Sequence, residues 1–185
     1  MGDLNVETTF TAIGRALTQW ERFEYQLSGL FAVLVGAAEN NVLPASRAYG
    51  SVVTFNARTA MVKAAADAFF LMYPNVELSA RVMRVLKEAG EFAQRRNEIA
   101  HGVVKVSHWP FTKETGSAQF PSDYATSKNR LDEQLLSLPA GTRRFPTYIY
   151  TSVEIGAFEK EFGRLAVTTS DLWSQVAAYR KSCKH

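Results

Sequence analysis

The stretch RRNEIAHG, residues 95–102, gathers side chains that could act on a phosphate ester. An arginine guanidinium can bind two phosphate oxygens at once, and a histidine imidazole can accept or donate a proton near neutral pH. Cleavage of a phosphodiester needs both functions, a proton transfer and a stabilised negative charge. The stretch therefore predicts a polar site, and its place in a helix decides which of its residues can belong to that site.

The helical pattern that contains this stretch separates its two arginines. At about 100° per residue, Arg96 falls at the centre of an apolar stripe, whereas Arg95 falls on the opposite, charged side. The stripe consists of Val82, Val85, Leu86, Ala89, Phe92, Ala93, Ile99 and Ala100, and the charged side of Arg84, Glu88, Glu91, Arg95 and Glu98. Arg95 has Glu91 one turn before it as an ordinary surface partner, whereas a guanidinium on a buried stripe must find an anionic or carbonyl partner. Asn97 and His101 share a third, mostly uncharged face beside the stripe, and we expect them to edge one pocket with Arg96.

The order Arg96-Asn97-Glu98-Ile99-Ala100-His101, near a helix end and followed by Gly102, resembles the HEPN superfamily of α-helical bundle proteins. The resemblance covers about residues 7–102, and the insertion at 103–150 has no clear match in it. Many HEPN members are metal-independent endoribonucleases, often toxins of toxin–antitoxin or phage-defence systems, whose active site forms between two protomers. Others lack activity and act as binding or scaffolding modules. The resemblance therefore implies a metal-free ribonuclease that needs no cofactor, with a catalytically silent helical dimer that binds a protein or a nucleotide as the alternative.

The resemblance also implies a role for each residue of the motif. Arg96 would hold the scissile phosphate and its developing charge, and His101 would act as general base or acid on the ribose 2′-hydroxyl or the leaving oxygen. Asn97 would be the polar residue that follows the arginine. A structural alternative stays open, in which Arg96 ties helix ends to carbonyls and His101 binds the last carbonyls of its own helix. The same Arg/His spacing recurs by chance at Arg180–His185, on a C-terminal tail.

Four further residues are candidates for binding an RNA substrate. Trp109 could stack on a base, although a place in the hairpin core fits the aromatic residues of this region better. Arg143 and Arg144 could contact phosphates or lie in a solvated loop, and Arg58, on the second helical run, could face the site. The sequence contains no P-loop, no GxGxxG motif and no Cys/His metal cluster.

Composition describes an ordinary globular protein. The 185 residues are 46% apolar and 21% charged, with a net charge of +3, which tolerates an anionic partner such as RNA but does not demand one. Cys183 is the only cysteine, so no intramolecular disulfide can form, which fits a cytoplasmic location. No signal peptide is evident, and the longest apolar run, residues 30–38, is too short to cross a bilayer.

Periodicity predicts a mainly α fold, an antiparallel bundle of about four long helices with a small hairpin and loop insertion before the last one. The predicted helices are about 7–38, 45–73, 80–101 and 153–180, and the third is expected to be capped by Ser79 and the last by a capping box at Thr151–Glu154. The second run is expected to turn Val52, Val53, Ala57, Met61, Ala64, Ala68 and Leu71 inward. Residues 103–109 and 145–151 are predicted strands, and 128–137 a short helix. One domain over 1–185 is expected, with 103–150 as its insertion.

A homodimer is also predicted. One chain provides one plausible catalytic histidine, whereas general acid and general base work is easier with two groups. A two-fold axis beside Arg96 and His101 would supply the second. An antitoxin or another protein partner is the remaining expected partner, and no membrane is expected.

Overall fold

A computed structural model describes residues 5–37, 42–108, 115–122 and 147–183. In these ranges the chain forms five helices and one antiparallel pair of strands. The helices are α1 (Val6–Leu34), α2 (Leu43–Ser51), α3 (Phe55–Met72), α4 (Val76–His101) and α5 (Ser152–Ser182), and the strands are β1 (Val103–His108) and β2 (Thr115–Phe120). The fold is mainly α, a helical bundle with a small hairpin before the last helix, as predicted.

Helix α1 buries most of the apolar stripe that its sequence predicts. Trp20, Phe23, Leu27 and Leu30 are fully buried, whereas Phe10, near the start of the stripe, is exposed. Side chains three and four residues apart share one face of a helix, so this regular stripe fixes which side of α1 is turned inward.

The end of α1 is fixed by a glycine and by a side chain from α5. Gly36 has a φ of 86°, a conformation that favours glycine. The amide of Ala37 donates to the carbonyl of Ala32 at 2.9 Å, which is the hydrogen bond of a Schellman cap. Nη1 of Arg180 donates to the carbonyl of Val33 at 2.9 Å. The arginine of the second Arg/His match in the sequence therefore has a structural use as a helix cap.

The second helical run is two helices, which corrects the prediction of one. The chain leaves α2 at Val52 and enters α3 through Thr54, whose hydroxyl accepts the amide of Ala57 at 3.3 Å. The predicted inward face of α3 is also wrong. The buried residues of α3 are Val62, Ala66 and Phe69, whereas Val53, Ala57, Ala64, Ala68 and Leu71 are exposed and Val52 and Met61 are half-buried.

Helix α4 begins one turn earlier than predicted. The amide of Leu78 donates to Oδ1 of Asn75 at 3.0 Å, so Asn75 caps the helix and Ser79 lies inside it. The predicted apolar stripe is confirmed at six positions, because Val82, Val85, Leu86, Ala89, Ala93 and Ile99 are buried. Arg96 therefore stands in the middle of the inward face of its helix.

The hairpin has a different second strand from the one predicted. Strand β1 pairs with β2, with Val103 opposite Phe120 and Val106 opposite Ser117. The segment predicted as the second strand, 145–151, contributes one bridge, between Tyr150 and Gln119. The predicted short helix at 128–137 lies outside the described residues. Strand β2 therefore lies between β1 and Tyr150.

Helix α5 begins at the predicted capping box. The amide of Thr151 donates to Oε2 of Glu154 at 2.8 Å, and the amide of Glu154 donates to the hydroxyl of Thr151 at 3.3 Å. These reciprocal bonds satisfy two amides that have no partner within the helix.

The chain divides into two compact units. The site unit consists of residues 1–17 and 96–159, and the helical unit consists of residues 18–95 and 160–185. In the described part of the site unit, Ile99, Phe120 and Ile155 are buried, and the hydroxyls of Thr9 and Ser117 form a buried hydrogen bond. In the helical unit, the Trp20 ring lies 5.0 Å from the Phe55 ring and 5.1 Å from the Phe162 ring. The prediction of one domain stays a prediction. No helix in the described ranges combines the length and the apolar character that a membrane crossing requires.

The helical unit also buries a polar cluster. The indole of Trp20 donates to Oε1 of Glu24 at 2.8 Å, and Arg58 forms an ion pair with the other oxygen of Glu24. Nε of Arg58 donates to the carbonyl of Val52 at 2.7 Å, and its guanidinium lies 5.4 Å from the centre of the Tyr49 ring. The Tyr49 hydroxyl is buried and has no hydrogen-bond partner in the described part of the chain. Burial, and after it the Glu24 carboxylate, raises the pKa of this hydroxyl.

Replacing Tyr49 with Phe should stabilise the protein by about 1 kcal/mol at neutral pH, because the variant no longer buries an unsatisfied hydroxyl. The folded-state pKa of Tyr49 lies above its ordinary value of 10.0. The stability linked to the neutral phenol is therefore present below about pH 10, the unfolded pKa, and is lost as the pH rises through the folded pKa. Denaturant unfolding at neutral pH and at roughly pH 10.5 checks both effects, since the advantage of Tyr49→Phe should grow at the higher pH. If Tyr49→Phe is less stable than the wild type at both pH values, the Tyr49 hydroxyl forms a stabilising hydrogen bond and the prediction is wrong.

Candidate functional site

The end of α4, which carries the motif at 96–102, is held by side chains from elsewhere in the site unit. Nε2 of Gln119, on β2, donates to the carbonyl of Ile99 at 2.5 Å. The hydroxyl of Tyr148 donates to the carbonyl of Glu98 at 3.1 Å, and this carbonyl also accepts the amide of Gly102 at 3.0 Å. The last carbonyls of a helix lack partners within the helix. These bonds therefore fix where α4 ends.

Gly102 follows α4 for a reason of space rather than of backbone conformation. Among the described glycines, a positive φ occurs at Gly36 and not at Gly102. A Cβ at position 102 would lie 2.6 Å from both Cγ and Nε2 of Gln119. Gln119 is 1% exposed. Its backbone amide donates to the carbonyl of Tyr150 at 2.9 Å, and its backbone carbonyl accepts the amide of Tyr150 at 3.0 Å. The glycine after His101 therefore leaves room for the side chain that caps the helix.

Glu98 lies inside this arrangement, which corrects its predicted place on the charged, solvated side of α4. The hydroxyl of Tyr150 donates to Oε2 of Glu98 at 2.5 Å. The Tyr148 and Tyr150 rings stack with centres 5.0 Å apart, and the Tyr150 ring meets the Phe158 ring edge to face at 5.3 Å. The tyrosines therefore belong to the packing around the helix end, and Glu98 is one of the groups that position it.

Arg96 is half-buried, and its Nε lies below the surface. Its Nη1 donates to Oδ1 of Asn97 at 3.2 Å. On a helix, Arg96 and His101 project about 140° apart, whereas Asn97 projects between them. The hydrogen bond therefore directs the Arg96 guanidinium toward the side of α4 on which Asn97 and His101 lie.

Asn97 and His101 are both exposed. They are four residues apart, so their Cβ atoms lie about 6 Å from each other on one face of the helix. In the described part of the chain, the His101 imidazole makes no hydrogen bond, and the carbonyls of Glu98 and Ile99 are bound by Tyr148 and Gln119 instead. His101 is thus open to solvent and does not serve as the cap of its own helix.

The contrast between the two arginines is smaller than the sequence predicts. Arg95 is half-buried, as Arg96 is, and not fully exposed. Arg95 belongs to the helical unit and Arg96 to the site unit. The inward phase of Arg96 is confirmed by the buried Ala93 and Ile99 on the same face, but burial alone does not set Arg95 apart from it.

The other predicted site residues are Arg58, Trp109, Arg143 and Arg144. Arg58 lies in the helical unit, where it is bound to Glu24 and to the carbonyl of Val52. Trp109, Arg143 and Arg144 lie outside the described residues. Among the residues that the structure describes, no three His, Cys, Asp or Glu side chains are grouped as metal ligands. Arg96, Asn97 and His101 are the predicted site residues that the described structure places together.

Sequence patterns do not indicate the roles of Gln119 and of the tyrosine hydroxyls. Residues 115–120 fall in the stretch between the two predicted strands, where Gly116 and Pro121 favour a loop. A hairpin core is the expected place of the tyrosines, whereas they pack around the end of α4, and the partner of a hydroxyl cannot be predicted from one sequence. A comparison with protein-family models, with curated proteins and with solved structures gave no match.

Proposed function

We propose that the chain is a metal-independent endoribonuclease of the HEPN type, with Arg96 and His101 as catalytic residues and Asn97 between them. One observation carries the proposal: the Arg96 guanidinium is bound to Asn97 at 3.2 Å, beside an exposed His101 at the end of the same helix. The resemblance of the motif to that superfamily adds the reaction class. A toxin or a phage-defence protein, held in check by an antitoxin or another protein, is the corresponding role.

The chemistry needs few groups. A base removes the proton of a ribose 2′-hydroxyl, whose oxygen then forms a bond to the adjacent phosphorus while the bond from phosphorus to the 5′-oxygen breaks. The leaving oxygen takes up a proton, and the products are a 2′,3′-cyclic phosphate and a 5′-hydroxyl. His101 carries out one of the two proton transfers, and Arg96 stabilises the charge on the phosphate oxygens. A second protomer is expected to provide the other histidine.

A binding module without catalysis is the second candidate, and the surroundings of His101 favour it. A catalytic base is usually oriented by a hydrogen bond to a third group. Among the described residues the His101 imidazole makes no such bond. On this reading the exposed face of α4 binds RNA, a nucleotide or a protein, and His101 contributes affinity only.

Cleavage of RNA by the purified protein in EDTA, compared with the His101→Ala variant, separates the two candidates. The ribonuclease proposal expects wild-type cleavage that EDTA does not prevent, fragments that end in a cyclic phosphate, and their loss in the variant. Binding without cleavage by both proteins supports the second candidate. Cleavage that EDTA abolishes, or that the variant retains in full, contradicts the mechanism.

A further inference from the structure

Helix α3 is apolar on two sides. Its inner side, with Val62, Ala66 and Phe69, is buried in the helical unit. Its outer side, together with Val53 just before the helix, forms what we call the α3 face. This face consists of Val53, Ala57, Ala60, Ala64, Ala68 and Leu71, and all of these residues are exposed. Val53 is 90% exposed and Leu71 is 83% exposed. Contiguous exposed apolar patches often mark interaction sites, and none of the residues that the structure describes covers the α3 face.

The charges beside the α3 face indicate what covers it. Within α3, every residue of which the structure describes, the exposed charges are Lys63 and Asp67, on one flank of the face. Neither makes an ion pair with any described residue of the chain. A cation four residues before an anion is also the weaker order for a pair within one helix. The flank therefore carries one charge of each sign, and both are available to a partner.

We infer that the α3 face binds the α3 face of a second copy of this chain, with the two helices antiparallel. A two-fold axis near residue 65 sets Lys63 of each copy opposite Asp67 of the other, so the contact contains two Lys63–Asp67 pairs. A parallel arrangement would set this flank against the opposite flank of the partner helix, so neither charge would be paired. An isologous contact of this kind requires a surface that complements itself, and the Lys63/Asp67 flank meets that requirement.

The side chains of the α3 face suit such a contact. The same axis brings Leu71 of one copy opposite Ala60 of the other, a large side chain against a small one. Small residues along the centre allow two helix axes to approach to about 8 Å. From Ala57 to Leu71 the face extends over about 21 Å at 1.5 Å per residue. This surface contains none of the residues 96–101, so the α3 contact is a different contact from the one beside His101 that the ribonuclease proposal expects, and the two are tested separately.

The first test places a charge at the centre of the face. Wild-type protein should be a dimer at micromolar concentration, measured by light scattering and by sedimentation. Ala64→Glu should weaken the dimer at least about tenfold, because two carboxylates would be desolvated close to each other across the axis. Ala157→Glu, at an exposed position of α5, is the matched control and should dimerise as the wild type does. Circular dichroism and thermal unfolding verify that both variants fold.

A monomeric wild type overturns the inference and the homodimer prediction together. An Ala64→Glu variant that dimerises normally overturns the α3 contact alone and leaves a dimer through another surface. Equal weakening by Ala157→Glu also contradicts a specific α3 contact. These measurements report the oligomeric state and not RNA cleavage, so their outcome does not depend on whether the protein is a ribonuclease.

A charge exchange tests the antiparallel register. Lys63→Asp and Asp67→Lys should each weaken the homodimer several-fold to about tenfold, because each variant sets like charges opposite one another. A mixture of the two variants should form a heterodimer that is tighter than either homodimer, since both of its charge pairs then have opposite signs. If the mixture dimerises no better than the separate variants, the two helices are not arranged in this way.

Discussion

His101→Ala should lower RNA cleavage about 100-fold or more while the protein stays folded, since a general acid or base typically contributes that much. His101 is exposed, and no described residue forms a hydrogen bond with its imidazole, so truncation should remove chemistry and little stability. Single-turnover cleavage at saturating RNA measures the chemical step, and unfolding curves measure the fold. Arg84→Ala is the matched control on the same helix, because Arg84 is exposed and has no ion pair in the described part of the chain. It should stay within a few-fold of wild type.

Arg96→Ala should fall about as far, because losing one electrostatic donor to a transition state typically costs about 100-fold or more. Arg95→Ala is predicted to remain within a few-fold, although its half-burial makes Arg84 the cleaner control. The comparison is decisive for the site. If all variants fold and Arg95→Ala is the more damaging of the two, the assignment of the catalytic arginine is wrong.

The predictions that hold rest on long, regular patterns or on chemistry confined to a few residues. The stripe of α1 contains large side chains such as Trp20 and Phe23, whose burial leaves one orientation possible. The capping box of α5 needs Thr151 and Glu154 alone. The inward phase of Arg96 follows from the buried residues on either side of it, and for this reason the helical periodicity predicts it correctly.

The orientation of α3 could not be predicted because its alanines carry little directional information. Ala57, Ala64 and Ala68 form an apolar row as regular as the one formed by Val62, Ala66 and Phe69. Burial of Phe69 outweighs burial of several alanines, because hydrophobic free energy follows the apolar area removed from water. A second copy of the chain would give the outer row a function that one sequence cannot show.

The residues that hold the end of α4 could not be predicted for a different reason. Gln119 is 20 residues from Ile99 in the sequence, and Tyr150 is 52 residues from Glu98. Nothing in the local pattern of TGSAQF or FPTYIYT indicates which helix end its side chains bind. Tertiary contacts of this kind override strand propensity. For this reason the predicted second strand is wrong, and so is the predicted place of Glu98 on the solvated side of α4.

Gly102→Ala should destabilise the protein by about 2 kcal/mol, whereas the same substitution at Gly90 should stabilise it by about 0.5–1 kcal/mol. An added Cβ at position 102 would lie 2.6 Å from Cγ of Gln119, while a Cβ at position 90 would meet nothing within 4 Å. Gly90 is exposed in the interior of α4, where alanine is the better helix former. Denaturant unfolding of both variants gives the two free energies, and opposite signs are expected.

The cost at Gly102 should depend on Gln119, which a double variant can show. The new methyl group must displace the Gln119 side chain and break its bond to the Ile99 carbonyl, leaving a buried acceptor unsatisfied. In a Gln119→Ala background that clash is absent, so Gly102→Ala should then cost a few tenths of a kcal/mol at most. If it costs as much as in the wild type, Gln119 does not explain the glycine. If the coupling is found, Gly102 preserves the helix end on which Arg96 and His101 stand. Gly102→Ala should then also lower RNA cleavage, because it breaks the hydrogen bond between Gln119 and the Ile99 carbonyl.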